Sequence, residues 1–302
     1  MLEKKKLEKL TRKIFHDIHT DQIKHPHIVK RMKDLLNTEY LKLSKNYFQG
    51  KICLDVGCGS MGSATHSMLR NGAKKVYAID LDNTFFDSVT KNLKEFEGKY
   101  ELSIGNVLNL DYNDKKFDFT HCAGVLHHTG DVFKSYSELA RVTKVGGIVY
   151  TMTYGKGGLI REITSFLRKK YQKDTEFKSL IDNLTEESFS ELFDWMASTM
   201  DSHDNNMKKL ILSKRFRKNF DSDWILTLKD RITAPIYDEH SEEEIVSWLK
   251  NNGFSKIERL TRYPKFKNVR RLLSPFYYRY ESKYSRLLYG SGVIQIKAVK
   301  IK

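Results

Sequence analysis

The sequence is short of the residues that characterise disulfide-stabilised and membrane-spanning proteins. Its 302 residues include only three cysteines, Cys53, Cys58 and Cys122, with no CxxC pair, so we expect no disulfide framework. No apolar run approaches the roughly 20 residues that a transmembrane helix needs. The N-terminus is charged and does not resemble a signal peptide. We therefore expect a soluble protein of the reducing cytoplasm.

Acidic residues are also few relative to basic ones. The chain has 38 Asp and Glu against 53 Lys and Arg, which gives a formal net charge of +15. Such a charge attracts anionic partners: nucleic acid, lipid headgroups or a phosphorylated metabolite. A chain rich in Lys and Ile, with only four prolines, can also acquire this charge from genome composition alone. Both interpretations stay open.

The hydrophobic pattern changes along the chain. Residues 1–50 have helical spacing, including a helix over Ile28–Leu43. Residues 51–154 alternate short apolar strands with helices, which is typical of a parallel sheet built of βαβ units. We predict an N-terminal helical segment (1–50), an α/β core (51–154 and 238–302) and a helical lid or substrate-binding insertion (155–237). The predicted strands are 51–56, 76–80, 117–122, 147–152, 256–260 and 293–301.

A glycine-rich loop follows the first predicted strand. Leu54–Gly62 contains GxGxxG, a pattern that lets a strand turn tightly into a helix whose free N–H groups face a ligand. The pattern alone fits both a dinucleotide and S-adenosylmethionine. Asp55, directly before the glycines, is poorly placed against a pyrophosphate but suits the positively charged methionyl end of S-adenosylmethionine. Asp80 ends the second strand and can accept both ribose hydroxyls of either cofactor.

Further motifs follow this loop in a recognisable order. The chain resembles class I S-adenosylmethionine-dependent methyltransferases, and within them the ubiquinone-biosynthesis type and other small-molecule enzymes. The resemblance implies a Rossmann-like α/β fold with a seven-stranded, mostly parallel sheet whose last strand is antiparallel. The chain departs from the family at Val145, usually proline, and at Asn106, often Asp. The motifs are Leu54–Gly59 with Gly62, Ala78–Asp80, Gly105–Val107, Phe117–Phe119, Gly124–Thr129, Glu138–Val142 and Lys144–Gly147.

The resemblance also implies roles for individual residues. Gly57 and Gly59 would pass close to the methionyl group, Asp80 would hold the ribose and Leu81 would pack on adenine. Asn106 would meet the adenine amino group through its amide oxygen. The full implied set for binding S-adenosyl-L-methionine is Asp55, Gly57, Cys58, Gly59, Asp80, Leu81, Asn106, Val107, Cys122, Ala123 and Gly124.

Three side chains are candidates for the chemistry at the acceptor. Methyl transfer is an in-line displacement at the sulfonium carbon, and an O–H acceptor also needs a base. His127 and His128 follow the fourth predicted strand, at the sheet edge where open α/β folds bind ligands. Tyr154 follows the fifth strand. The histidines serve either as a base or only to shape the site, and their spacing indicates no metal centre.

The C-terminal residues 265–302 are basic and rich in tyrosine. They hold ten Lys and Arg and one acid. Such a segment can bind RNA, line a pocket for an anionic small molecule, lie at a lipid surface, or pack on the lid. The leading hypothesis is a methyltransferase acting on a small-molecule acceptor, with an anionic one among the options. The alternatives are a tRNA-type RNA methyltransferase and an NAD(P)-dependent oxidoreductase.

Overall fold

A single seven-stranded sheet forms the centre of the computed structural model, which describes residues 2–25, 36–261, 266–272, 276 and 279–302. The first five strands of the chain run parallel, and the last strand is antiparallel to both of its neighbours. This confirms the expected Rossmann-like α/β class. The strands are β1 (Ile52–Val56), β2 (Lys75–Asp80), β3 (Tyr100–Ile104), β4 (Phe117–Ala123), β5 (Thr143–Tyr154), β6 (Phe254–Arg259) and β7 (Val293–Lys300), in the order β3-β2-β1-β4-β5-β7-β6.

The strands that the sequence pattern identifies as continuous apolar runs are those whose two faces are both buried. Leu54 of β1 packs into the core on one face of the sheet and Cys53 into the core on the other. A parallel strand covered on both faces is a continuous apolar run, so β1, β2, β4 and β5 are visible in the sequence. Strand β3 lies at the edge and none of its residues is fully buried. Its sequence alternates apolar and polar residues and forms no continuous apolar run, and it was expected only through the family resemblance.

Helices cover both faces of the sheet. The chain also forms 3-10 turns, one of which, Leu126–His128, carries two candidate site residues. A capping box at Ser241 and Glu244 begins the helix before β6, as the sequence indicates. The helices outside the segment 155–237 are α1 (Leu2–Ile23), α2 (Ser63–Arg70), α3 (Phe86–Asn92), α4 (Val132–Val142), α11 (Glu242–Asn251) and α12 (Lys283–Tyr289).

The helix predicted over Ile28–Leu43 falls partly on residues 26–35, which lie outside the described residues. The prediction is wrong for its described end, because residues 36–43 are not helical and residues 38–42 form turns. The amide oxygen of Asn37 accepts a hydrogen bond from the backbone N–H of Tyr40 at 2.7 Å, and Lys42 has a φ of 50°. A short polar side chain that bonds nearby backbone groups favours a turn over a helix.

The segment between β5 and α11 is helical, and its last helix packs against α1. Ile18 of α1 and Leu226 near the end of this segment form a small apolar cluster. Side chains of Asp174, Thr185 and Asp221 cap three of its helices. Its helices are α5 (Leu159–Lys173), α6 (Thr175–Asp182), α7 (Glu186–Thr199), α8 (Asn205–Leu212), α9 (Lys214–Arg217) and α10 (Ser222–Thr233).

None of the helices in the described ranges combines the length and the apolar character required to cross a membrane.

Candidate functional site

A cavity of about 690 Å³ lies at the edge of the sheet where the parallel strands end. One half is lined by the loops after β1, β2, β3 and β4, and the other by the end of β5 together with α5 and α10. Helix α1 lies over the first half. Open α/β sheets bind ligands at this edge, and the volume is in the range of about 300–1,000 Å³ typical of small-molecule sites.

The glycine loop is held tightly against the neighbouring strands. The N–H groups of Gly57 and Cys58 both donate to the carbonyl oxygen of Ile79, at 2.8 and 3.0 Å. Gly57 has a φ of 77°, and a Cβ there would lie 2.2 Å from a methyl carbon of Val125. The position therefore needs glycine for two reasons, backbone conformation and space.

Asp80 joins the end of β2 to the glycine loop. Its Oδ2 accepts a hydrogen bond from the N–H of Gly59 at 2.9 Å, and Oδ1 accepts one from the N–H of Asp82 at 3.2 Å. All three residues line the cavity. A carboxylate fixed in this way has a defined orientation and retains lone pairs for further donors.

Asp55 has a different environment from the one its sequence position suggests. It lines the cavity but is only 1% exposed. Its Oδ2 accepts from both the N–H and the hydroxyl of Thr65, at 3.0 and 2.7 Å. Its Oδ1 accepts from Nδ1 of His121, at 2.8 Å. The carboxylate therefore ties β1 to the first turn of α2 and to β4, in addition to placing negative charge beside the cavity.

The remaining predicted cofactor residues divide into those that line the cavity and one that does not. The amide oxygen of Asn106 accepts a hydrogen bond from the N–H of Leu108 at 2.9 Å and keeps one lone pair. Cys122 is fully buried in the apolar core instead, and burial raises the pKa of its thiol well above the usual value. The predicted residues that line the cavity are Asp55, Gly57, Cys58, Gly59, Asp80, Leu81, Asn106, Val107, Ala123 and Gly124.

Helix α1 contributes cavity residues that sequence reasoning missed. Arg12, Phe15, His16 and His19 lie at helical spacing on one side of it and line the cavity. Nδ1 of His16 lies 3.2 Å from Oδ2 of Asp82. The apolar periodicity predicted this helix. The spacing of its aromatic and basic residues was the available signal for a second functional face.

His127 and His128 have opposite environments although they are adjacent. His128 lines the cavity, and its Nδ1–H donates to the carbonyl oxygen of Ile236 at 2.7 Å. His127 is fully buried behind it, does not line the cavity, and neither of its ring nitrogens has a hydrogen-bond partner among the described residues. Burial lowers the pKa of both rings. Both are therefore neutral near pH 7.

Tyr154 connects the sheet to the helical segment. Its hydroxyl donates to Oδ2 of Asp230 on α10 at 3.0 Å, and both residues line the cavity. Its ring packs on His127, with centroids 4.0 Å apart. Asp230 was not predicted, because nothing in the sequence of α10 distinguishes it from a solvent-facing acid.

In the parts of the chain that the structure describes, no cluster of three or more His, Cys, Asp or Glu side chains is arranged to hold a metal ion.

Comparisons with known proteins agree with this geometry. A family model described as a methyltransferase domain matches residues 54–151. The chain is 30% identical over 147 residues to a mitochondrial ubiquinone biosynthesis O-methyltransferase of Dictyostelium discoideum, covering 44% of this chain and 45% of that protein. It is 28% identical over 122 residues to phosphoethanolamine N-methyltransferase 2 of Caenorhabditis elegans, covering 40% and 28%. The chain thus spans less than half the length of these curated relatives.

A solved structure shares the fold. The phosphoethanolamine N-methyltransferase 2 of Haemonchus contortus, in complex with phosphomonomethylethanolamine and S-adenosylhomocysteine, superimposes with a TM-score of 0.50 at 17% identity. The match covers 88% of this chain and 53% of that one. The family model, the sequence relatives and the strand order agree. Over residues 54–151 the chain therefore carries a methyltransferase domain that is similar to the class I S-adenosylmethionine-dependent methyltransferases.

Proposed function

We propose that this protein transfers the methyl group of S-adenosylmethionine to a small-molecule acceptor. The observation that carries the proposal is one continuous cavity that runs from Asp80 at the end of β2 to Tyr154 at the end of β5 and on to Asp230 of α10. The first part lies where the family holds its cofactor. The second part is lined by α5 and α10, and the whole cavity, at about 690 Å³, has the volume of a small-molecule site.

In this proposal the cofactor binds along the loops at the ends of β1 to β4. Asp80 accepts the ribose hydroxyls on the lone pairs that Gly59 and Asp82 leave open. Asn106 meets the adenine amino group with its second amide lone pair. Leu81 and Val107 pack on the adenine, and Ala123 and Gly124 lie along the methionyl end.

The reaction requires the protein to align the acceptor atom with the methyl carbon and to remove one proton. The acceptor oxygen or nitrogen forms a bond to the methyl carbon, while the carbon–sulfur bond breaks and its electron pair stays on sulfur. The acceptor proton then passes to Nε2 of His128. This nitrogen carries the free lone pair of the ring, because Nδ1–H donates to the carbonyl oxygen of Ile236. His127 acts behind it by holding the ring position, and Tyr154 orients Asp230.

The segment 155–237 is the proposed lid over the acceptor. Its helices α5 and α10 contribute Ile160, Thr164, Trp224 and Asp230 to the cavity lining. Closure of such an element excludes water and completes the site.

An RNA acceptor is the alternative, and the basic C-terminal residues are less suited to it than their number suggests. Arg270 donates to Asp223 and to Thr227 of α10. Arg259 of β6, just before this segment, donates to Glu242 and stacks on Tyr280 of the segment, 3.3 Å from the ring centroid. These guanidinium groups are engaged within the protein and are not free to track a phosphate backbone.

The test is a transfer assay with isotopically labelled S-adenosylmethionine and an extract of the source cells, separated into metabolite, lipid and RNA fractions. The proposal expects label in a small-molecule product, in metabolite or lipid, and calorimetric binding of S-adenosylhomocysteine. Label confined to RNA supports the alternative, and binding of NAD(P) with no affinity for S-adenosylhomocysteine rejects both.

A further inference from the structure

The acceptor half of the cavity has a chemical character that is not visible in the sequence. Its wall is mainly apolar and aromatic, and it is assembled from α5, α10, the segment after α10 and the residues around 266–270. A small molecule that fills this space buries mostly apolar surface, which favours binding by about 25 cal/mol per Å². The side chains that dominate the wall are Ile160, Trp224, Leu226, Ile236, Phe266 and Val269.

Two charged side chains of this wall, Asp223 and Arg270, neutralise each other. Asp223 accepts from Arg270 and from Asn268, and Arg270 also donates to the hydroxyl of Thr227. Arg231 has an interaction within the protein as well. An anionic acceptor needs a positive charge that is not already paired, since a buried unpaired charge is strongly unfavourable.

A group of arginines behind the wall does not supply such a charge either. Arg161 is 1% exposed and donates to the hydroxyl of Tyr237 and to the carbonyl oxygen of Gly292. Arg168 stacks on Tyr237, 3.7 Å from the ring centroid, and interacts electrostatically with Glu239 and Asp230. Neither arginine lines the cavity. Arg168 offsets part of the negative charge of Asp230.

The hydroxyls of the wall are also used internally. Thr164 donates to the carbonyl oxygens of Ile160 and Arg161, and Thr227 donates to that of Asp223. Asp230 differs, because the hydroxyl of Tyr154, bound to Oδ2, is its only hydrogen-bond donor among the described residues. Asp230 lines the cavity, so its Oδ1 is an acceptor that can take a hydrogen bond from a bound molecule.

We propose, on the basis of the function proposed above, that the acceptor is an uncharged and mainly apolar molecule, and that Asp230 selects it by accepting a hydrogen bond from one of its hydroxyl or N–H groups. This contact fixes the orientation of the acceptor, so that its reacting atom lies between His128 and the methyl carbon. Asp230 is thus a specificity-determining residue contributed by the helical segment. We favour this uncharged acceptor over the anionic one considered from the sequence.

The experiment follows the labelled methyl group into the product of the full-length protein. Extract of the source cells is incubated with labelled S-adenosylmethionine, and the reaction is partitioned at pH 7 between water and an organic solvent. Label in the organic phase is the expected result. Label that stays in the aqueous small-molecule fraction overturns the inference but leaves the proposed function intact. Label in RNA, or in no fraction, overturns the proposed function itself.

Two variants on the same helix then test the role of Asp230. With the organic-phase acceptor pool as substrate, Asp230→Ala is expected to raise the KM for the acceptor about tenfold or more, the equivalent of one lost hydrogen bond to a charged group, without changing the KM for S-adenosylmethionine. The control is Lys229→Ala, because Lys229 points away from the cavity and donates to the carbonyl oxygen of Asp182. An unchanged KM in Asp230→Ala, or an equal rise in Lys229→Ala, contradicts the assignment.

Discussion

The ring of His128 donates its Nδ1–H to the carbonyl oxygen of Ile236, at 2.7 Å. This one bond joins the 3-10 turn after β4 to the chain that follows α10, and it fixes the tautomer of the histidine. Because Nδ1 carries the proton, the lone pair of the neutral ring is on Nε2. The same bond therefore connects the end of the helical segment to the atom that we propose accepts the proton.

Replacing His128 should reduce the rate of transfer and leave cofactor binding intact. His128→Phe keeps a ring of similar size but has no lone pair, so we expect kcat to fall by about 10²- to 10⁴-fold. Affinity for S-adenosylhomocysteine, measured by calorimetry, should stay within about threefold. Tyr154→Phe, which removes only the hydroxyl bound to Asp230, serves as the comparison and should lose less. Full activity in His128→Phe would show that the acceptor loses its proton by another route.

The pH dependence of the reaction follows from the burial of His128. Burial is the main cause that lowers the pKa of this ring below its ordinary value of 6.5, and the charge of Asp230 opposes it in part. The neutral form is the base, so kcat/KM is retained above the pKa and lost as the pH falls through it. We expect the acid limb of the profile below pH 6.5, measured with labelled cofactor. An acid limb above pH 6.5 would assign the titration to another group.

The proposed ribose contact predicts the effect of changing Asp80. Asp80→Ala removes the carboxylate that holds Gly59 and faces the cavity, so we expect at least an approximately tenfold loss of affinity for S-adenosylhomocysteine by calorimetry. Asp87→Ala is the matched control, since Asp87 is an exposed acid in the first turn of α3. Equal affinities in the two variants would mean that the cofactor binds elsewhere.

The close approach of Gly57 to Val125 can be tested by a substitution and its rescue. Gly57→Ala places a methyl group 2.2 Å from Cγ2 of Val125 at a φ of 77°, and it should abolish measurable cofactor binding. Gly98 has a φ of 79° with open space around it, so Gly98→Ala should cost only the backbone term of about 1–2 kcal/mol in the free energy of unfolding. The double variant Gly57→Ala with Val125→Ala should recover part of the binding. No recovery would place the cause in the backbone alone.

Buried His127 predicts a change in stability rather than in binding. Burial holds the pKa of His127 well below 6.5, so the ring takes up a proton on unfolding but not in the folded state. The free energy of unfolding therefore falls as the pH drops below 6.5, by up to about 1.4 kcal/mol per pH unit for one such group. His127→Phe should weaken this dependence in urea unfolding between pH 7 and 5. At pH 7 it should unfold no more easily than the parent, because both ring nitrogens lack a partner among the described residues. A large loss at pH 7 would reveal a buried partner.

Local sequence determined the parts of this protein in which function needs a particular residue type at a fixed spacing. The glycines at 57, 59 and 62 and the acid at Asp80 follow directly from the need for a tight turn and a ribose acceptor at the ends of adjacent parallel strands. Continuous apolar runs identified the strands that are buried on both faces. Strand β3 was invisible to this reasoning, because it lies at the edge and is half-exposed.

Tertiary structure decided which of the remaining residues face the cavity beside the glycine-rich loop. Which of two adjacent histidines faces the cavity depends on the direction of one 3-10 turn, which places His128 at the cavity and His127 behind it. Cys122 is at the tip of a strand as expected, yet its side chain points into the core because side chains alternate across a sheet. Asp230 and the cavity face of α1 reach the site only through packing between segments about 200 residues apart. No local sequence pattern indicates such a contact. The burial of Ile18 against Leu226 sets the position of Asp230 and of the cavity face of α1, and the chemistry of these cavity residues does not.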